Sequence, residues 1–250
     1  MSIALEAKDV VHRFGETVAL GGVSIDVPAG TMAALVGESG SGKTTLLRSF
    51  NRMIRPDSGT LRVGGEDVRA GDPITLRRQI GYVPQHGGLL PHWPLLRNVA
   101  LVPRLVGATE PHAAAADALA LVGLDPERFG HRLPRDVSGG QRQRAAIARA
   151  LAARQGAVLL DEPFGALDAI TRAETHETFA RVRSEIGFTA LLITHDLVEA
   201  ARLADTIAVM RSGRIEQTGT LGELRRAPAT EYVESLLARA ASAAAVLGAP

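Results

Sequence analysis

The sequence predicts an α/β fold with a mainly parallel sheet, preceded by an antiparallel β region and interrupted by an inserted helical subdomain. Residues 2–36 alternate short β-type runs with turn signals, which is typical of antiparallel strands. Residues 86–136 place leucine, valine and alanine at helical spacing, broken by prolines. From residue 142 to residue 210, apolar strands alternate with helices, which favours parallel pairing.

These patterns also predict the domain boundaries. We expect one domain over residues 1–237, with its core and antiparallel region formed by residues 1–85 and 139–237. The helical subdomain is expected at residues 86–138. Residues 238–250 are rich in alanine and are expected to form a C-terminal tail that frays.

Composition excludes several classes of protein. The chain of 250 residues is 46% hydrophobic, which suffices for a sizeable core. With 28 basic and 27 acidic residues and no long basic stripe, nucleic acid is not expected as a partner. The absence of cysteine excludes disulfides and thiolate metal sites. Residues 1–8 lack the apolar core of a signal peptide, and no apolar run reaches the ~18 residues of a membrane span, so any membrane attachment is expected through another protein.

Residues Gly37–Thr44 match the phosphate-binding pattern G-x-x-x-x-G-K-[ST]. An apolar run at residues 32–36 precedes them, and residues 45–53 follow at helical spacing. In this context backbone N–H groups and the helix dipole converge on a phosphate, Lys43 reaches the β- and γ-phosphates, and the Thr44 hydroxyl binds Mg²⁺. A glycine-rich turn that binds nothing would not need the flanking strand and helix, so we predict a nucleoside triphosphate site. Its predicted contacts are Gly37, Glu38, Ser39, Gly40, Ser41, Gly42, Lys43, Thr44 and Thr45.

Two carboxylates follow a second apolar run, Val158–Leu160. Phosphoryl transfer needs one acid to hold Mg²⁺ and another to orient the attacking water. Asp161 suits the first role and Glu162 the second. Paired acids are common in turns, so it is the upstream phosphate loop that favours this interpretation.

A second glycine-rich segment, Val137–Gln141, leads directly into a helix. Its hydroxyl, bare amides and helix N-terminus could form another anion site. A simple helix cap, with Ser138 as N-cap, explains the same residues equally well. Because a small domain rarely uses two such loops on one triphosphate, the pair indicates that two chains share each nucleotide.

Together these motifs resemble the nucleotide-binding subunit of an ABC transporter, over about residues 5–237. The resemblance implies a P-loop NTPase core of the ABC ATPase type. The matching segments are Gly37–Thr44 (Walker A), Val158–Glu162 (Walker B), Val137–Gln141 (signature loop), Gln85 (Q-loop), Ala166–Asp168 (D-loop), His195 (switch histidine) and Phe14 (the aromatic that stacks on adenine).

The resemblance also implies roles for these residues. Glu162, His195 and Gln85 are expected in catalysis, and Thr44, Gln85 and Asp161 around Mg²⁺. Two copies are expected to pair head to tail, so that the signature loop of one copy caps the ATP held by Lys43 of the other. The signature residues expected at that ATP are Ser138, Gly139, Gly140 and Gln141, and Asp168 is expected at the dimer interface.

Simpler readings remain for single positions. Gln85 could be a solvated loop residue, and His195 a hydrogen-bonded structural residue. Phe14 could belong to the core, and Asp168 could cap the following helix. The arginines of the helix after the signature loop are interpreted as its polar face: Arg142, Arg144 and Arg149.

Residues Gly87–Pro94 contain the only tryptophan, Trp93, just after Gln85. An apolar segment here suits a groove that receives a short helix from a membrane subunit. A local core for the helical subdomain is the alternative, and the two are compatible.

Several short sequence segments resemble those of bacterial importer subunits. Some of these segments resemble in particular the branch of importers for glycine betaine, choline or carnitine. The importer runs are residues 138–144 and 161–168, and the osmoprotectant runs are residues 51–59, 76–83, 89–93 and 98–100. The resemblance implies an ATPase with ATP and Mg²⁺ as cofactors. Its expected partners are a second copy of itself, a permease and a substrate-binding protein, and its expected location is the cytoplasmic face of the cell membrane.

Two alternatives share the catalytic motifs. An exporter or lipoprotein-release ATPase is disfavoured by the residues after Asp161. A soluble ABC ATPase of DNA repair or translation usually needs long coiled-coil insertions or two cassettes in one chain, and neither is evident here.

Overall fold

The structure, a computed structural model, describes residues 2–248 and the side chains of residues 2–242. Residue contacts divide the chain into two compact units. Within the described residues, the first unit consists of Ser2 and residues 74–188, and the second of residues 3–73 and 189–248. The predicted boundaries between the core and the helical subdomain differ from the boundaries of these two units. The predicted division stays a prediction.

The strands within the described residues are β1 (Leu5–Phe14), β2 (Thr17–Val27), β3 (Met32–Val36), β4 (Ser58–Val63), β5 (Glu66–Asp67), β6 (Ile80–Val83), β7 (Ala157–Asp161), β8 (Thr189–Thr194), β9 (Thr206–Arg211) and β10 (Arg214–Gly219). The helices are α1 (Lys43–Phe50), α2 (Pro73–Gln79), α3 (Leu95–Val99), α4 (Leu101–Leu105), α5 (Pro111–Leu121), α6 (Pro126–Phe129), α7 (Gly139–Leu151), α8 (Ala169–Ile186), α9 (Leu197–Leu203), α10 (Leu221–Arg226) and α11 (Glu231–Gly248).

The second unit contains the predicted antiparallel region, with strand order β2-β1-β4-β5. Along β2, buried Val23, Ile25 and Val27 alternate with exposed residues, as expected for a sheet with one face on the core. The hairpin between β4 and β5 turns at Gly64 and Gly65, whose φ values of +60° and +83° suit glycine. The turn signal in the sequence predicts a hairpin over residues 59–68 with these two glycines at its tip, and the structure confirms it.

The second unit also contains a group of parallel strands. β3 pairs in parallel with β8 and with β9, and β10 adds antiparallel to β9. All five residues of β3 are buried, which explains its continuous apolar run. Val36 pairs with Thr194 at the carboxyl ends of β3 and β8. The segments that follow these strands therefore emerge at the same edge of the sheet.

The first unit contains the parallel pair β6 and β7 and the predicted helices of the insertion. Helix α7 lies so close to β6 that a Cβ atom at Gly81 would be 2.4 Å from the carbonyl oxygen of Ala150. Leu95, Val99 and Leu119 are fully buried within the helical part.

Most element predictions are confirmed, with small shifts at their ends. The sequence predicts a helix from Arg142 to Arg154, whereas α7 begins at Gly139, because Ser138 caps it, and ends at Leu151. Helix α11 extends through most of the expected tail, and residues 249–250 lie outside the described part of the chain. None of the described helices combines the length and the hydrophobicity that a membrane-spanning helix requires.

Candidate functional site

The loop between β3 and α1 contains two glycines that lie very close to neighbouring backbone. Any other residue at either position would force that backbone to move. A Cβ atom at Gly37 would lie 2.0 Å from the carbonyl oxygen of Met210. At Gly42, φ is +101° and a Cβ atom would lie 2.3 Å from the carbonyl oxygen of Ala19. At both glycines the loop is therefore packed tightly against neighbouring backbone.

Lys43 is buried and its ammonium group is held by the loop itself. Its Nζ atom donates hydrogen bonds to the carbonyl oxygens of Gly37 at 2.7 Å and Glu38 at 2.8 Å, and to Ser41 Oγ at 3.2 Å. These acceptors offset the cost of burying the charge. The side chain is thereby placed inside the loop rather than in solvent.

The N-terminus of α1 is suited to an anion. Gly42 is its N-cap without a side-chain cap, and the first turn carries no acidic residue. Glu38, Ser39 and Gly40 are exposed along the loop, while Thr44 and Thr45 are half-buried. Backbone N–H groups and the helix dipole therefore favour negative charge here.

Phe14 and His195 also belong to the second unit. Phe14 is 54% exposed at the end of β1, so it is not a core residue. Its ring packs edge to face against His12, with ring centroids 4.5 Å apart. His195 is exposed directly after β8, and the next residue, Asp196, caps α9 by accepting from the Val198 N–H at 2.8 Å. Both side chains are therefore held on ordered backbone and remain accessible.

The two carboxylates of the first unit have different environments. Asp161 ends the wholly buried strand β7 and is 3% exposed. Glu162 is half-buried with a φ of +45°, a conformation that costs a non-glycine residue energy and is often found at functional sites. The Gln85 Nε2 atom lies 3.5 Å from Glu162 Oε2, a long hydrogen bond. The structure thus brings Gln85 and Glu162 together.

The segment Ser138–Gln141 forms the N-terminus of α7. Ser138 Oγ accepts from the Gln141 N–H at 3.2 Å, while Gln141 Oε1 accepts from the Ser138 N–H at 3.0 Å. This reciprocal pair is a capping box, so the simpler reading of Ser138 as N-cap is correct. Ser138 is nonetheless exposed, which leaves an anion-binding role open to test.

Asp168 likewise caps a helix. Its Oδ1 atom accepts from the Thr171 N–H at 3.0 Å at the start of α8. Hydrogen bonding from the Thr171 N–H lowers the pKa of the Asp168 carboxyl group. Since Asp168 is exposed, capping does not exclude contact with a second chain.

The segment from Leu89 to Pro94 is organised by the fully buried Asn98. The Asn98 Oδ1 atom accepts from the Leu90 N–H at 2.7 Å, and its Nδ2 atom donates to the carbonyl oxygen of Trp93 at 2.9 Å. Trp93 is half-buried, and the Arg97 guanidinium lies 4.1 Å from its ring centroid. An ordered surface segment, rather than a purely internal core, carries the tryptophan.

Sequence reasoning missed two contacts near these motifs. The Tyr232 hydroxyl on α11 accepts from the Glu38 N–H at 3.3 Å, which ties the phosphate loop to the C-terminal helix. Arg149 is not simply part of a polar face, because its guanidinium binds the carbonyl oxygens of Gly87 and Gly88. No local sequence pattern predicts either contact, because each joins segments that are far apart in the chain.

The predicted magnesium ligands can be tested by their chemistry. No group of three or more histidine, cysteine, aspartate or glutamate side chains able to hold a metal occurs in the part of the chain that the structure describes. Thr44, Asp161 and the Gln85 amide offer oxygen atoms, which suit Mg²⁺. Mg²⁺ commonly uses few protein ligands and takes the rest from phosphate and water, so this donor set fits.

Comparison with known proteins defines the class. The family described as "ABC transporter" matches residues 20–165. Two solved structures share the fold, each with a TM-score of 0.77. Each match covers 87% of this chain and 98% of the solved chain. One, 31% identical, is a dimeric post-hydrolysis state of the ATP-binding cassette MJ0796 bound to ADP and Pi. The other, 32% identical, is the dimeric structure of MJ0796, a bacterial ABC transporter cassette.

The chain belongs to the ABC transporter family and has the fold of its ATP-binding cassettes, as predicted. The glycine betaine/carnitine/choline transport ATP-binding protein OpuCA of Bacillus subtilis is 41% identical over 239 residues, 95% of this chain and 62% of the relative. The osmoprotectant import ATP-binding protein OsmV of Salmonella typhimurium is 42% identical over 233 residues, which are 92% of this chain and 61% of the relative.

A relative with another cargo is equally similar. The sulfate/thiosulfate import ATP-binding protein CysA of Mycobacterium tuberculosis is 44% identical over 239 residues, 95% of this chain and 67% of the relative. The chain spans about three fifths of the length of the osmoprotectant relatives that it matches.

Proposed function

We propose that this chain binds and hydrolyses ATP and thereby energises a bacterial ABC importer. The observation that carries the proposal is the phosphate loop, in which Lys43 is buried against the carbonyl oxygens of Gly37 and Glu38 at the start of α1. A triphosphate that accepts some of these hydrogen bonds would bind an ammonium group that is already in position. Little further side-chain entropy would be lost on binding. Membership of the ABC transporter family supports the same conclusion.

The proposed chemistry is attack of water on the γ-phosphorus of ATP, which breaks the bond to the β–γ bridging oxygen and releases ADP and phosphate. Bound Mg²⁺ would neutralise charge on the phosphates, with Thr44, Asp161 and the Gln85 amide oxygen as its protein ligands. Because Gln85 Nε2 faces Glu162, its Oε1 atom is the one suited to a cation. Glu162 orients the water and accepts its proton, and His195 contacts the γ-phosphate.

Adenine recognition is proposed at Phe14. An aromatic ring that is 54% exposed can stack on a base, and the edge-to-face contact with His12 helps to position it. The remaining ATP contacts are proposed from the loop Gly37–Thr45, through backbone N–H groups and the Lys43 ammonium.

A second copy of the chain is the proposed partner at the nucleotide. In one copy, Ser138 is exposed at the N-terminus of α7, where helix dipole and N–H groups favour an anion. We propose that Ser138 to Gln141 of one copy contact the ATP held by Lys43 of the other, with Asp168 at the interface. The dimeric structures of the similar cassettes support this pairing.

A permease is the proposed membrane partner, with a substrate-binding protein acting through it. Asn98 and Arg97 hold the segment Leu89–Pro94 in one conformation, so that a half-buried Trp93 can contact a helix of the permease. The chain would then lie at the cytoplasmic face of the cell membrane, attached only through this partner.

The proposed cargo is a quaternary-amine osmoprotectant such as glycine betaine, choline or carnitine. OpuCA is a glycine betaine/carnitine/choline transport ATP-binding protein and OsmV an osmoprotectant import ATP-binding protein, which supports this class. Sulfate is the second candidate, because CysA is 44% identical. Cargo is selected by other subunits of a transporter, so relatives of this subunit alone do not decide between them.

Reconstitution tests the whole proposal. The chain would be co-expressed with the permease and binding protein encoded beside it, and placed in liposomes with Mg²⁺ and ATP. We expect glycine betaine, choline or carnitine to stimulate phosphate release and to accumulate in an ATP-dependent manner. Stimulation by sulfate alone would replace the cargo assignment, and a complex that neither hydrolyses ATP nor accumulates any of these solutes would refute the importer role.

A further inference from the structure

Arg149, in the third turn of α7, forms hydrogen bonds with the segment that follows Gln85. Its Nη1 atom donates to the carbonyl oxygen of Gly88 at 2.6 Å, and its Nη2 atom to that of Gly87 at 2.8 Å. The planar guanidinium thus holds two successive carbonyl groups at once, a geometry that a lysine ammonium cannot reproduce.

Arg149 is half-buried, so its guanidinium is partly withdrawn from water at this contact. Loss of hydration on burial lowers the pKa of the Arg149 side chain from its usual value, although arginine stays charged. A charge withdrawn from water must be offset by hydrogen bonds. The two carbonyl groups supply that compensation, so their position and that of Arg149 depend on each other.

The segment that follows Gln85 has a backbone that only glycine tolerates well. Gly87 and Gly88 have φ values of +69° and +63°. A Cβ atom at Gly87 would lie 3.3 Å from Ala146 Cβ on α7, and one at Gly88 would lie 2.8 Å from Pro84 Cγ. The Gly87 N–H also donates to the Pro84 carbonyl at 2.8 Å, which closes a turn around Gln85.

Helix α7 connects this turn to the signature serine. Ser138 caps the helix, and Arg149 follows eleven residues later, about 16 Å along the axis. Residues buried on α7 between them, such as Ala145 and Ala148, fix the helix in its unit. A displacement of Ser138 is therefore transmitted to the turn that carries Gln85.

We infer that Arg149 is a positioning residue that couples the turn around Gln85 to α7, so that Gln85, the segment leading to Trp93 and Ser138 move as one body. The inference rests on the proposed function, because it assigns Gln85 to the reacting phosphate and Ser138 to the ATP of the other copy. Within that function, Arg149 relays nucleotide binding at Ser138 to the segment proposed to meet the permease.

The test compares Arg149→Lys with Arg144→Lys. Arg144 lies on the same helix, and its Nη1 atom also contacts two carbonyl groups, those of Val122 at 3.3 Å and Gly123 at 3.5 Å, away from Gln85. In the full-length protein without nucleotide, we expect Arg149→Lys to speed hydrogen exchange in peptides covering residues 85–90 by about tenfold or more, the loss of roughly one charge-assisted hydrogen bond. Arg144→Lys should leave these peptides unchanged.

Kinetics provide the second readout. Arg149→Lys should lower kcat for ATP hydrolysis while the KM for ATP stays near wild type, because the phosphate loop is untouched. The thermal midpoint should fall by only about 2–4 °C, as the loss of one hydrogen bond gives in a chain of this size. A purely structural role would instead lower kcat and raise KM together. Equal exchange and equal kcat in Arg149→Lys and wild type would overturn the inference, as would identical effects from Arg144→Lys.

A variant outside α7 keeps the test valid if Arg149→Lys does not fold. Gly88→Ala would push the turn away from Arg149 without changing the arginine, and Gly107→Ala imposes similar strain, with φ of +79° and no atom within 4 Å of the added Cβ. We expect faster exchange at residues 85–90 only in Gly88→Ala, and no difference between the two would overturn the inference. The exchange experiment needs no ATP, so it can fail or succeed independently of the proposed function, which wild-type ATP hydrolysis tests.

Discussion

The γ-methyl group of Thr171 occupies the place that a side chain at Gly140 would need. A Cβ atom at Gly140 would lie 2.2 Å from Thr171 Cγ2, and Gly140 itself is buried. Helix α8 therefore packs against the first turn of α7 so closely that only glycine fits. The second glycine of the signature loop is thus required by packing, in addition to any contact with phosphate.

Substitution of Gly140 by Ala is expected to destabilise the protein by about 1–3 kcal/mol, the usual cost of overpacking. Gly139→Ala is the matched control, because its Cβ atom would come no closer than 3.6 Å to another side chain, at Leu167. The free energy of unfolding from urea titration would measure both. Adding Thr171→Ser, which removes the methyl group, should recover most of the loss in Gly140→Ala; no recovery would contradict the packing explanation.

Replacement of Glu162 by Gln should lower the rate of ATP hydrolysis by roughly 10²–10⁴-fold, the range for loss of a positioned general base. The glutamine has nearly the same shape and keeps the Cβ atom of a residue already at a φ of +45°, so folding should be preserved. Phosphate release measures turnover, and fluorescent-nucleotide titration should give an ATP affinity near wild type. Hydrolysis at the full rate would remove Glu162 from the reaction.

Lys43→Ala should weaken ATP binding by roughly 10–100-fold through the loss of charge-assisted contacts to phosphate. It also leaves the carbonyl oxygens of Gly37 and Glu38 without the ammonium that they bind. Isothermal titration with ATP would measure the change, with exposed Lys8→Ala as the control. An ATP affinity equal in the two variants would contradict the assignment of the phosphate loop.

Tyr232→Phe tests the link between α11 and the phosphate loop. The change removes only the hydroxyl that accepts from the Glu38 N–H, while the ring beneath the Arg211 guanidinium is kept. We expect the KM for ATP to rise about twofold to tenfold with kcat unchanged, as one neutral hydrogen bond would predict. Ser242→Ala, farther along the same helix, should leave KM unaltered; a matching rise there would show that the loop responds to α11 in general.

Acid should remove the contribution of one helix cap. The Thr220 N–H donates to Glu223 Oε2 at 2.8 Å, and this hydrogen bond lowers the pKa of the Glu223 carboxyl group below its usual value of 4.5. A lowered pKa in the folded state means that the stabilisation is complete above pH 4.5 and is lost as the pH falls through the lowered pKa.

The matched variant for this prediction is Glu223→Gln, which can still accept a hydrogen bond but does not titrate. Thermal midpoints of wild type and variant should differ most at neutral pH and converge as the pH falls below 4.5. A constant difference across this range would show that the carboxylate of Glu223 has no part in the cap.

Much of the fold and the motifs could be predicted because their signals are local. The strand before Gly37 is a continuous apolar run, and Asp161 and Glu162 follow another at the end of β7, so burial and chain direction place both motifs at strand ends. Ser138 and Asp168 are likewise short-range signals, since each caps the helix that begins at the next residue.

The contacts that escaped prediction join distant parts of the chain. Glu38 and Tyr232 are separated by 194 residues, and Arg149 lies 61 residues from Gly88. An arginine three turns into a helix looks the same in sequence whether it faces solvent or two carbonyl groups. Only the packing of α7 on the turn around Gln85 distinguishes these cases, and packing depends on the whole fold.

The central claim is that ATP lies between two copies of this chain, bound by the phosphate loop of one and the signature loop of the other. A crystal structure of the Glu162→Gln protein with ATP and Mg²⁺ tests it most directly. We predict that Ser138 Oγ and the Gly140 N–H of one copy lie within hydrogen-bond distance of the γ-phosphate that Lys43 of the other copy binds. A closed pair in which Ser138 is remote from every triphosphate would contradict the account.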